Sequence, residues 1–225
     1  MFCESPFYIE YMIKYLWGDV MNSKIEIITK DKIKTSNWSG GTTNEIYIYP
    51  ENSNYKALNF SWRISSATVD LEHSTFTSLP NIYRYITTLE GSMDLCHNKG
   101  PLIHLNPFEV HGFSGDLNTE SFGKVIDFNL MLGPGCDGVM DVLFSDGISP
   151  LKINLHKENI SSKSISHIFF SSQCDLYFLI GDEKLYLPKW NALIIHEYLD
   201  NSNSNIEITS QEPCKLISIT TKVPM

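Results

Sequence analysis

The sequence is poor in the features that would assign it at once to a functional class. Its five cysteines, Cys3, Cys96, Cys136, Cys174 and Cys214, include no C-x-x-C pair, and the nearest two are 38 residues apart (174 − 136). That spacing argues against a disulfide framework or a zinc knot. It argues for a reducing compartment in which thiols serve as small core residues. Every apolar run is interrupted well short of the ~18 residues of a membrane span. The apolar stretch Phe7 to Trp17 is preceded by Glu4, broken by Glu10 and Lys14, and followed by no small-residue cleavage site, which speaks against a signal peptide. Basic residues are scarce: 17 Lys and Arg stand against 26 Asp and Glu, a formal charge of −9. Such a chain repels a phosphate backbone and anionic lipid alike, so neither nucleic acid nor a membrane is an expected partner. The seven histidines form no H-x-H, H-x-x-x-H or H-E-x-x-H, and no G-x-S-x-G elbow or phosphate loop occurs. His104 and His111, with Glu109 near, are a weak metal pattern, so no metal, cofactor or catalytic residue is expected.

What remains is a compact, turn-rich chain. Its 225 residues suffice to bury roughly 70 % of the unfolded surface, without help from a metal. Strict alternation dominates after residue 22 and helical stripes are few. Strands are expected at Glu45 to Tyr49, Phe60 to Val69, Tyr83 to Glu90, Lys124 to Met131, His167 to Phe170, Asp175 to Ile180, Ala192 to His196 and Cys214 to Thr220. Turn signals lie between them, among them Ser39-Gly40-Gly41, Glu90-Gly91, Gly133-Pro134-Gly135 and Gly181-Asp182. Many short strands at this spacing predict a sandwich or barrel. Tyr85 to Leu95 and Asp175 to Leu185 each read as strand, Gly turn, short strand and Pro turn, the pattern of two stacked halves. The division expected is a barrel over 21–132, a connection over 133–160 and a second barrel over 161–225. Residues 1–20 break the pattern. They are read as a peripheral extension: sequence upstream of a start at Met21, or a short helix with Ile9, Met12 and Leu16 on one face.

Three stretches place polar groups where a strand core would not. In Trp38-Ser-Gly-Gly-Thr-Thr-Asn-Glu-Ile46, paired glycines allow close backbone approach and Thr42 and Thr43 add donors; an ordinary turn is the alternative. In Phe60 to Val69, Arg63 and Ser65 point one way and Trp62 and Ile64 the other. Arg84 shares a face with Ile86 and Thr88. Each guanidinium suits a carboxylate, either a ligand's or an internal one. In Lys124 to Met131, Asp127 and Asn129 oppose the apolar face of Ile126, Phe128 and Leu130. If that face is interior the pair needs partners, because burying it unpaired costs several kcal/mol, and Arg63 or Arg84 is the expected one.

Five blocks in order, W-S-G-G-T-T-N-E-I at Trp38 to Ile46, W-R-I-S-S-A at Trp62 to Ala67, R-x-I-x-x-L-E-G at Arg84 to Gly91, F-S-G-D at Phe113 to Asp116 and D-F-N-L-M at Asp127 to Met131, resemble the HutD/Ves family. The resemblance covers about residues 25–131. It implies an all-β bicupin, two stacked double-stranded β-helix (jelly-roll) barrels. It further implies a cytoplasmic bacterial protein associated with histidine utilisation, or, in the Ves branch, with stress. Where the family has a G-P-F-S segment and a P-G turn, this chain reads His73 to Arg84 with Asn81, a residue that tolerates the left-handed conformation. The family lacks the metal set of ordinary cupins.

The function expected is a non-catalytic, small-molecule-binding regulator or sensor. Its site is the N-terminal interior: Arg63 and Arg84 for a carboxylate, with Ser65 beside them, Trp38 or Trp62 as a stacking wall, Thr42, Thr43 and Glu45 at the mouth, and Asp116, Asp127 and Asn129 as polar fixers. Urocanate is the first candidate ligand and a formylated or formiminated glutamate the second; a homodimer is left open. The alternatives are a cupin-type enzyme (a metal-assisted hydrolase, isomerase or dioxygenase) and a scaffold for a protein partner.

Overall fold

The computed structural model describes residues 23–155, 162–197 and 204–224; the expectations for residues 1–20 and for a start at Met21 lie outside the described residues. The chain is a succession of strands. The first half runs β1 (Ser23–Ile28), β2 (Lys34–Trp38), β3 (Gly41–Tyr49), β4 (Trp62–Val69), β5 (His73–Thr75), β6 (Tyr83–Glu90), β7 (Met93–His97), β8 (Leu102–Leu105), β9 (His111–Ser114), β10 (Thr119–Phe122) and β11 (Val125–Leu132). The second half runs β12 (Asp137–Ser145), β13 (Leu151–Leu155), β14 (Ser162–Phe170), β15 (Leu176–Ile180), β16 (Glu183–Leu187), β17 (Ala192–Glu197), β18 (Ser204–Ser210) and β19 (Cys214–Pro224). Among the described residues helix is confined to two short 3-10 turns, and none is long and apolar enough to cross a membrane.

Four sheets result, with orders β2-β3-β4-β11-β6-β9, β5-β10-β7-β8, β1-β17-β14-β19-β12 and β13-β18-β15-β16. The internal repeat is legible in these orders. Adding eight to β5-β10-β7-β8 gives β13-β18-β15-β16, and adding eight to β4, β11, β6 and β9 gives β12, β19, β14 and β17 in the same sequence of neighbours. The repeat expected from the sequence was therefore misaligned by one strand: Leu176–Ile180 corresponds to Met93–His97, not to the strand at Tyr85. Both strands are followed by a turn and a further strand, so a local pattern cannot tell them apart. Two boundaries also change. Residues 133–160, read as a connection, contain β12 and β13, which pair in the second half's sheets, and β1 joins that half by pairing with β17.

Packing follows from strand parity. Ile46, Tyr47, Trp62, Ile64, Phe128, Leu130 and Leu132 on one large sheet form a single buried cluster with Ile168, Phe170, Ala192, Ile194, Ile217 and Ile219 on the other. The opposite face of each large sheet covers its own small sheet. Val69, Ile86, Met93, Leu95, Leu105, Phe113 and Val125 fill part of the N-terminal interior. Phe169, Leu176, Phe178, Ile180, Leu193, Ile195, Ile206, Ile208 and Leu216 fill the C-terminal one.

Two turn positions show why their residues are there. Gly41 has φ 150°, and an added Cβ would overlap the Thr68 carbonyl oxygen of the neighbouring strand. Asn81 has φ 62°, the left-handed conformation expected of it ahead of the Arg84 strand. Cysteine pairing needs a correction: Cys174 and Cys214, expected as free core thiols, form a disulfide within the C-terminal core. Spacing along the chain excludes only local frameworks, and strand pairing closes this 40-residue separation.

Candidate functional site

The face of the N-terminal large sheet that looks into its own unit carries three cross-strand rows. The first is Thr43, Ala67, Asp127 and Thr88 on β3, β4, β11 and β6. The second is Glu45, Ser65, Asn129, Ile86 and His111, ending on β9. The third is Ile48, Arg63, Met131, Arg84 and Phe113. Alternation on β4, β6 and β11 sends Arg63, Arg84, Asp127 and Asn129 to one interior, as expected from sequence. All four are buried, at 4 %, 6 %, 5 % and 5 % exposure.

The two arginines have different surroundings. Arg63 donates through Nε to Glu45 Oε2 at 2.8 Å and through Nη1 to Ser65 Oγ at 2.9 Å, and its guanidinium lies 4.4 Å from the centre of the Tyr55 ring. It is thus held by a carboxylate, a hydroxyl and an aromatic face. A β-bulge between Glu45 and Tyr47 accompanies this arrangement. Arg84 sits between two rings, 4.8 Å from Phe76 and 5.2 Å from Phe113, contacts worth about 0.5–2 kcal/mol each. Its buried Nε has no acceptor among the described residues. Burial lowers its pKa to about 10, against the opposing pull of Asp127.

Asp127 is not the ion-pair partner expected. No arginine nitrogen lies within 4 Å of it; its Oδ1 accepts the Ala67 N–H at 3.2 Å. Burial pushes its carboxyl up to about 7, although Arg84 and Arg63 favour the charged form. The reason for the difference is that Arg63 reaches Glu45, one strand over on β3, instead. Among the described residues, Asn129 Oδ1 and Thr88 Oγ1 on this face are also buried without partners, as are Ser74 Oγ and Ser121 Oγ on the small sheet.

A histidine pair completes this interior and was not expected. His97 on β7 and His111 on β9 meet Nε2 to Nε2 at 2.9 Å. Their ring centres are 5.2 Å apart. The 2.3 Å left over (5.2 − 2.9) is what two ring radii supply, so the nitrogens lie on the line of centres, the geometry of one linear N–H···N bond. Thr119 Oγ1 lies 3.3 Å from the Leu117 carbonyl, to which it donates. It therefore accepts His97 Nδ1–H at 2.8 Å, leaving His97 Nε2 to accept from His111. Burial lowers both pKa values, so both rings are neutral at pH 7. Phe113 lies between this pair and Arg84, with its ring 4.7 Å from that of His97. No grouping of three or more His, Cys, Asp or Glu able to hold a metal occurs among the described residues.

The remaining expected residues disperse. Trp62 is fully buried on the opposite face, stacked with Tyr47 and Tyr49 in the cluster between the halves, so strand parity removes it as a wall. Trp38 lies on the edge strand β2, 40 % exposed, with its ring over Gly40. Thr43 shares the interior row of Ala67, whereas Thr42 pairs with Thr68 on the other face. Glu45 is the counter-ion of Arg63 rather than a free group at a mouth. Asp116 is in an exposed turn, bonded to the Ser114 hydroxyl at 2.9 Å. His104 pairs with Asp94 at 2.7 Å and Glu109 with the Asn106 N–H, which separates both from His111. Tyr55, Phe76, His97 and Thr119 went unnoticed in the sequence because each comes from a segment with no local signal; His97 and Thr119 reach the site through sheet pairing, and Tyr55 and Phe76 through segments outside the strands.

The HutD family model matches residues 30–145. Among solved structures the chain is similar to a conserved protein of unknown function, PA5104, from Pseudomonas aeruginosa PAO1. That match has a TM-score of 0.73 at 21 % identity and covers 88 % of this chain and 98 % of that one. It is also similar to HutD from Pseudomonas fluorescens SBW25, with a TM-score of 0.62 at 22 % identity, covering 87 % and 98 %. A bacterial pirin, YhhW, from Escherichia coli in complex with nickel(II) shares the fold at 10 % identity and a TM-score of 0.56, covering 89 % and 99 %. Among curated proteins none matches. These likenesses identify the doubled all-β architecture as a cupin fold. The model match also spans the strands that carry both arginines, Asp127 and Asn129, and on that match the chain belongs to the HutD family.

Proposed function

We propose that the protein is a small-molecule-binding cupin that acts as a non-catalytic regulator in histidine utilisation or a related metabolic response, and that it takes a carboxylate metabolite in the N-terminal interior. Arg84 supports this reading more than any other residue: a buried guanidinium flanked by two aromatic rings with no acceptor for its Nε among the described residues. Leaving such a group unpaired is costly, and a ligand carboxylate supplies the missing acceptor. Arg63 is structural in this scheme. Asn129 Oδ1 accepts a ligand N–H, and the rings of Phe76 and Phe113 replace the tryptophans as the apolar wall. Urocanate, a planar ring bearing one carboxylate, has the matching shape; the HutD structure from Pseudomonas fluorescens carries the description "Formate condition", formate being the smallest carboxylate.

Thermal melts with urocanate, histidine, formylglutamate, glutamate and formate test the reading. Free ligand at 100 times its dissociation constant adds about 2.7 kcal/mol of apparent stability. A selective shift that vanishes in Arg84→Ala supports the proposal. Equal or absent shifts across the series, up to millimolar ligand, remove it. A second reading, a cupin-type enzyme, draws on Asp127, whose carboxyl near neutrality suits proton transfer. Conversion of any of these compounds on incubation, followed by NMR, would favour it.

A further inference from the structure

We infer that the ligand of the N-terminal interior is a monoanion, one carboxylate with no second negative charge, and that Asp127 is protonated in the complex, so that anion binding and proton uptake are a single event. This rests on the reading of Arg84 as the anchor.

The buried charge of this interior sets the limit. Ionisable groups face this interior from each element around it. They are Glu45 on β3, Arg63 on β4, Asp127 on β11, Arg84 on β6, His111 on β9, His97 on β7 and the Tyr55 phenol from the segment before β4; Lys34 on β2, in register with Glu45, is exposed at the sheet edge and stays outside the buried count. Arg63 and Glu45 cancel in a direct pair at 2.8 Å. The two imidazoles share one proton in a linear bond and are held neutral by burial. What is left is Arg84 against Asp127. With Asp127 ionised the interior sums to zero, and an incoming carboxylate at Arg84 would add an excess negative charge to the same buried interior, which further disfavours the ionised form of Asp127. With Asp127 protonated the sum is +1, and one carboxylate neutralises it. A dianion leaves the interior negative in either state.

Local geometry agrees. Asp127 has no arginine nitrogen within 4 Å, and one of its oxygens accepts Ala67 N–H, which leaves the other to carry a proton. Burial brings its carboxyl to about 7, so the proton is available near neutral pH at little cost. The balance is simple: one solvent proton and one carboxylate enter together, and no bond of the ligand changes. The single carboxylate of urocanate fits this count, and the two carboxylates of a formylglutamate do not.

The test is calorimetric titration of the full chain with formate and acetate as monoanions, and oxalate and fumarate as dianions, all fully ionised above pH 6. It is run at pH 6 and pH 8 in buffers of different ionisation enthalpy. The wild type is expected to take up about one proton per monoanion at pH 8 and to lose about tenfold in affinity per pH unit above the Asp127 titration. Asp127→Asn takes up none, and its affinity at pH 8 equals that at pH 6. Monoanion binding without proton uptake, or dianions bound as tightly as monoanions, overturns the inference while leaving Arg84 as the anchor. No binding by any of the four acids, with Arg84→Ala melting like wild type in their presence, overturns the anchor itself and the inference with it. If Asp127→Asn does not fold, carbon-13 titration of the Asp127 carboxyl in the ligand-free wild type decides: ionisation complete by about pH 5 would sink the proposal.

Discussion

The two halves of the molecule share one strand order and differ in what they enclose. Around the C-terminal interior, Phe169, Leu176, Phe178, Leu193, Ile195, Ile206, Ile208 and Leu216 close on one another as hydrocarbon. The polar groups at its margin satisfy themselves: His167 meets the Thr220 hydroxyl at 3.2 Å and lies 3.8 Å from Glu197. The N-terminal interior carries two arginines, an aspartate, an asparagine and two histidines, and five of its buried polar atoms have no partner among the described residues. Because the C-terminal half builds the same sheets without them, the polar rows are not a requirement of the topology. On the function proposed above, these buried polar groups, which the fold neither needs nor satisfies, are kept for a ligand.

The difference between the two interiors is tested most directly from the apolar side. Phe169→Ala, deep in the C-terminal interior at 1 % exposure, is expected to cost about 3–5 kcal/mol of unfolding free energy and to leave the carboxylate-induced shift of the remaining folded protein unchanged. Denaturant melts with and without urocanate check both halves of the statement. Arg63→Ala comes next. It strands Glu45 and is expected to cost about 3 kcal/mol, with Glu45→Ala alone costing a similar amount and the double variant much less than the sum.

The effect of pH is smaller and has a definite sign. The folded-state pKa of Asp127 is raised, to about 7 from 3.8. The protonated form is therefore the one the fold favours, and its contribution is fully present below the unfolded value and is lost as pH climbs through about 7. Between pH 5.5 and 8 the ligand-free protein should lose about 2 kcal/mol, or roughly 5 °C in melting temperature, and Asp127→Asn should flatten that slope. Glu26 runs the other way. His196 and Lys24 hold its carboxyl down to about 2, so the support it lends to β1 is present at neutral pH and disappears in strong acid.

Arg84→Met sharpens the contrast between the arginines. It keeps packing against Phe76 and Phe113 and removes a buried cation whose Nε has no acceptor among the described residues, so stability should stay within about 1 kcal/mol of wild type or rise, while the carboxylate-induced shift disappears. Trp38→Ala, at the exposed end of β2, should change stability by less than about 0.5 kcal/mol and leave ligand-induced shifts intact. A lost shift would return Trp38 to the site.

Alternation alone determined much of this architecture. A strand has a period of two, so the sequence by itself was enough to send Arg63, Arg84, Asp127 and Asn129 to one face and Trp62, Phe128 and Leu130 to the other. Asn81 was likewise legible as a left-handed turn, since few residues tolerate that conformation. Which groups meet depends on how the strands assemble. Glu45 reaches Arg63 because β3 lies beside β4. Phe76 and Phe113 close on Arg84 because β9 pairs with β6 and the segment after β5 folds across. His97 finds His111 from another sheet, and Cys174 finds Cys214 across forty residues. Parity is a property of each strand and can be read from its residues. Partnership between strands depends on how sheets order and stack, which no local pattern records, and the charge state of Asp127 depends in turn on those partners.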